Sequence, residues 1–165
     1  SGHLTLLGGE LDGRMTLGTD GDISVQGHVQ YPCDPEDLSQ DMDCLDPQTG
    51  AVAYNDDLLG LVASHNVRVG TSAPNDLVIQ ATVMATTGAF QVDGYNVGAP
   101  RGTLHVYGGI IAKYGGLTGT FSLLNNSLSG YTEQHGYDPR LLNNAPPHFP
   151  TTGRYIGVIW QRVQP

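Results

Sequence analysis

Basic residues are scarce in this 165-residue chain, where seven Lys and Arg stand against sixteen Asp and Glu. Most of such a surface has little to offer a nucleic-acid backbone. Aromatic residues are few, and Ala, Leu, Glu and Lys do not dominate as they would in a helical bundle. No window of about 18 apolar residues exists, so no membrane-spanning helix is expected. The start shows no charged-then-apolar leader either. Its Ser1-Gly2 reads as an expression scar, which would make the chain a domain excised from a larger surface protein. Cysteine occurs only twice, too rarely and at the wrong spacing for a zinc site.

Glycine and proline are abundant instead, together one residue in five. The length fits a single domain, 1–165, with a respectable core. The net charge of -9 is unevenly spread. Asp34, Glu36, Asp37, Asp41, Asp43, Asp46, Asp56 and Asp57 crowd one stretch without a Lys or Arg among them. From Arg101 onward the balance reverses, with Arg101, Lys113, Arg140, Arg154 and Arg162 against Glu133 and Asp138. The acidity therefore belongs to one loop, residues 32–57.

The stretch "NDLVIQATV", residues 75 to 83, alternates Leu77, Ile79, Ala81 and Val83 with Val78, Gln80 and Thr82. That is the period of a strand. Two further stretches match it without gaps, "GDISVQGHV" at 21 to 29 and "GTLHVYGGI" at 102 to 110. This register puts Ile23, Leu77 and Leu104 in one column. Gly27, Ala81 and Gly108 share a position for small residues, and Val29, Val83 and Ile110 close the pattern. "LTLLGG" at 4 to 9 is a weaker copy, and "LVASHNVRV" at 61 to 69 supplies a further turn with a bulged residue. Short pairs, Met15–Leu17, Val67–Val69 and Phe90–Val92, precede the strong copies. Columnar similarity of this kind means stacked coils, whereas the hairpin strands of a β-sandwich have no reason to share columns. The expected fold is all-β, a parallel β-solenoid (β-helix) of right-handed coil. It carries an acidic loop and a C-terminal cap, 130–165, in which Tyr155 and Trp160 cover the open end.

Cys33 and Cys44 bracket the acidic loop, and a disulfide between them would pin it, stabilising by roughly 3 kcal/mol. Such a bond implies an oxidising compartment outside the cytoplasm. Asp34, Asp41, Asp43 and Asp46 are oxygen donors of the type calcium takes, but they lack the spacing of an EF-hand, so a solvated loop is the plainer expectation.

The outward columns hold Ser24, Val78 and His105, then Gln26, Gln80 and Tyr107, then His28, Thr82 and Gly109. None is a carboxylate, so the acid pair of a glycoside hydrolase has no place there. Asp22 and Asp76 sit at strand entrances, where Asp serves backbone hydrogen bonding. Ser64 and His65 are neighbours that a strand would point to opposite faces, a poor nucleophile and base. No catalytic residue is expected. Arg101, Lys113 and Arg140, with Tyr107 and Tyr114 beside them, combine charge and stacking surface for weak, salt-sensitive contact with DNA or another partner.

"GYDPRLLNNAPPHFP" at 136 to 150, with "LGLVASHNVRV", "DLVIQATVMATTGAFQV" and "GTLHVYGGI", resembles bacterial pilus-associated, minor-pilin-like extracellular proteins, one type of which is a competence pilin carrying a β-solenoid. The resemblance covers residues 59 to 163, and its specific part runs from Tyr137-Asp138-Pro139-Arg140 to Pro146-Pro147. It implies display at a bacterial cell surface near a type IV pilus or related fibre, with other pilin-like proteins or DNA as partners. It transfers no catalytic residue and no cofactor. The apolar N-terminal helix of a pilin is not among these residues. Together these features point to a non-enzymatic display or binding module. The alternative is a carbohydrate-binding or carbohydrate-cleaving β-helix, with Gln80, Tyr107, His105 and His28 facing a glycan.

Overall fold

The computed structural model describes residues 2–32, 57–122 and 127–151. Among them there is no α-helix, and the strands join one largely parallel sheet system. The strands are β1 (Leu4–Leu6), β2 (Gly9–Glu10), β3 (Arg14–Thr19), β4 (Ile23–Val25), β5 (Val29–Gln30), β6 (Leu58–Ala63), β7 (Val67–Val69), β8 (Leu77–Val92), β9 (Pro100–Tyr114), β10 (Gly119–Phe121) and β11 (Ser127–Tyr137).

Parallel pairs repeat from one pass of the chain to the next. On one face Leu4 lies opposite Ile23, Ile23 opposite Val67, and Val67 opposite Phe90. On another, Gly9 pairs with Val29, Val29 with Ile79, Ile79 with Val106, and Val106 with His135. A third ladder joins β3 to β6 and β6 to the middle of β8. The long β8 serves all three faces, pairing with β5, β6 and β7 in turn. The pattern is all-β, mostly parallel and compatible with stacked coils.

Alternation fills the interior as the sequence suggests. Ile23, Val25, Leu61, Val67, Val69, Leu77, Ile79, Val83 and Leu104 are fully buried. Each such side chain contributes roughly 1.5–3 kcal/mol relative to exposure. The pairing of Leu77 with Leu104 through Val83 with Ile110 matches the sequence register, including the small pair Ala81 and Gly108.

The first copy belongs elsewhere. Ile23 stacks on Leu4 and Val67 rather than on Leu77. Gly27 lies against Leu7 and Gly8, away from Ala81. Met15 pairs with Leu59 on the third ladder, so it is no counterpart of Val67 and Phe90. "LVASHNVRV" is likewise a corner between β6 and β7, with Ser64 and His65 outside both strands. Ile23 and Val25 in β4, Val67 and Val69 in β7, and Leu77 and Ile79 in β8 all alternate in the same way, so nine matching positions do not tell one ladder from the next.

The last pass departs from the parallel pattern. β10 runs antiparallel to β11, and Tyr131 is fully buried with its hydroxyl donating to the Pro74 carbonyl at 2.6 Å. β11 pairs with β9 as far as Gly108 opposite Tyr137. Beyond it, residues 138–151 turn back along the flank instead of across the end. Arg14 donates to the Ala145 carbonyl at 2.9 Å, and Pro146 and Phe149 pack over Gly60 of β6, where a side chain would collide with Phe149. Cys33, Cys44, the rest of the acidic loop from 33 to 56, and Tyr155 and Trp160 lie outside the described residues.

Candidate binding surface

The outer face of β8 and β9 begins from the expected columns. Val78 lies beside His105, Gln80 beside Tyr107, and Thr82 beside Gly109. Ser24 belongs to another face, beside Arg68, and accepts a hydrogen bond from Gln26 at 2.8 Å. The polar groups are engaged within the fold. Gln80 is 2% exposed and its Oε1 accepts the Tyr31 N–H at 2.6 Å. His28 Nδ1 accepts the Val78 N–H at 3.2 Å, and Tyr107 is buried. Gln80 thus holds the base of the acidic loop and His28 a neighbouring strand, while the Tyr107 side chain is buried.

Arg140 explains how that loop base is held. Its guanidinium forks onto Asp138, at 2.9 and 3.1 Å from Nε and 2.7 Å from Nη2, and lies 5.4 Å over the Tyr31 ring. Burial alone would lower the Arg140 pKa, but the bonded Asp138 outweighs it and raises the value. Tyr31 is pushed up to about 12, chiefly by burial, while its hydroxyl accepts the Leu59 N–H at 2.9 Å. Asp57, the last acidic residue of the loop, accepts the Gly13 N–H. Hydrogen bonds, the Arg140–Asp138 ion pair and the stacking of Arg140 on Tyr31 together fix this corner.

Of the four residues expected to touch a partner, Arg140 and Tyr107 come close enough to interact electrostatically, while Arg101 and Lys113 stack on other rings. Arg101 stacks 4.5 Å over the Tyr131 ring and donates to the Ala73 carbonyl. Burial raises the Tyr131 pKa, and the Arg101 charge works against that rise. Arg140 is held by Asp138, and Tyr107 is buried. Lys113 alone stands on open surface, its amino group 5.2 Å over the ring of the exposed Tyr114. Asp34, Asp41, Asp43 and Asp46, the calcium candidates, lie outside the described residues. Among the described residues no group of three or more His, Cys, Asp or Glu is placed to hold a metal.

No family model, curated protein or solved structure matches this chain.

One pair escaped the sequence reading. Glu133 lies opposite Leu104 and His135 opposite Val106, so both occupy columns that are apolar in the strand below. His135 Nε2 is 2.8 Å from Glu133 Oε1. The signal was present, since "TEQHGY" laid under "TLHVYG" puts ionisable residues at the apolar positions. Two grooves open beside this pair. One, about 410 Å³, is lined by Phe90, Ile110, Ala112, Lys113, Tyr114 and His135 among others. The other, about 550 Å³, includes Thr82, Ile111, Tyr137, Leu141, Pro146 and Phe149.

Proposed function

We propose that the chain is a β-solenoid acting as a rigid, non-catalytic binding and display module outside the cytoplasm, carried on a type IV pilus or related bacterial surface fibre. In-register parallel pairing through Leu4, Ile23, Val67 and Phe90 supports the solenoid. A stack of such ladders is stiff along its length and offers flanks on which partner surfaces can be held. The Tyr137 to Pro147 element that resembles pilus-associated proteins forms part of one flank, tied down by Asp138 and Arg140. Another pilin-like protein is the partner this reading favours, with DNA contact restricted to the exposed Lys113 and Tyr114. The glycan alternative loses support from the engagement of Gln80 and His28 within the fold and the burial of Tyr107.

Co-sedimentation of the full chain with type IV pili sheared from bacteria tests the proposal. Retention on pili and not on an unrelated filament is expected. Absence from the pilus pellet, with release of reducing ends from a polysaccharide, would replace it with the glycan reading.

A further inference from the structure

We draw no further inference here: the strongest candidate, the groove along the far part of β9 that Ile111, Tyr137, Leu141 and Phe149 line as far as Thr151, carries nothing because nothing in the structure shows what covers it.

Discussion

Asp22 accepts hydrogen bonds from both the backbone N–H and the side-chain amide of Asn66, at 2.8 and 3.1 Å, at the corner where Ile23 comes to lie beside Val67. Asn66 passes the pattern on, its Oδ1 accepting the Ala89 N–H at 3.0 Å. Three successive corners are thus joined by side chains that satisfy the next corner's backbone. Asp76 does the same for Thr103 at 2.9 Å.

Burial alone would raise the Asp22 pKa, but the Asn66 bonds and the Arg68 and His3 charges outweigh it, and the net shift is downward. A carboxyl with a depressed folded value contributes stability above its unfolded value of about 4, lost as pH falls through the folded value. Asp22→Ala should cost about 1–3 kcal/mol near neutral pH, by leaving the Asn66 N–H without its acceptor. It should also flatten the acid limb of stability. Chemical denaturation between pH 2 and 7 checks both, and an unchanged acid limb would remove Asp22 from the account.

Gly108 has φ +142°, and a Cβ there would run into the Ala81 carbonyl. Gly108→Val should destabilise by about 2–4 kcal/mol. Gly18→Ala, where the nearest atom to a new Cβ is 3.9 Å away, should stay within about 0.5 kcal/mol. Equal thermal shifts for the two would contradict the close approach of β8 and β9.

Arg140→Ala leaves Asp138, 2% exposed, without its cation. Removing one partner of such a pair costs about 3–5 kcal/mol. Hydrogen exchange should accelerate at Asn143 and Phe149, whose N–H groups bond to the Arg140 and Pro146 carbonyls. Adding Asp138→Asn should recover part of the loss, and a double variant no better than the single would show that charge burial is not the cause.

Much of the strand content was legible because apolar alternation is a direct record of which side chains face inward. The register of 77–83 on 104–110 was legible for the same reason, helped by the small residues Ala81 and Gly108. The place of "GDISVQGHV" was not, since Ile23 and Val25 suit any inward column and the corner bonds of Asp22 involve a residue 44 positions away. The flank path of 138–151 was hidden too. Its anchors, Pro146 and Phe149, sit in a proline-rich stretch without period, and their receptor is the bare backbone of Gly60.

The central claim is the in-register stacking of successive passes of the chain. Amide–amide nuclear Overhauser effects in the deuterated full chain read it directly. Contacts linking the β4 strand to Val67–Val69, and Val67–Val69 to Phe90–Val92, are predicted, with none linking Ile23 to Leu77. Cross-strand contacts typical of antiparallel hairpins between these same segments would contradict it.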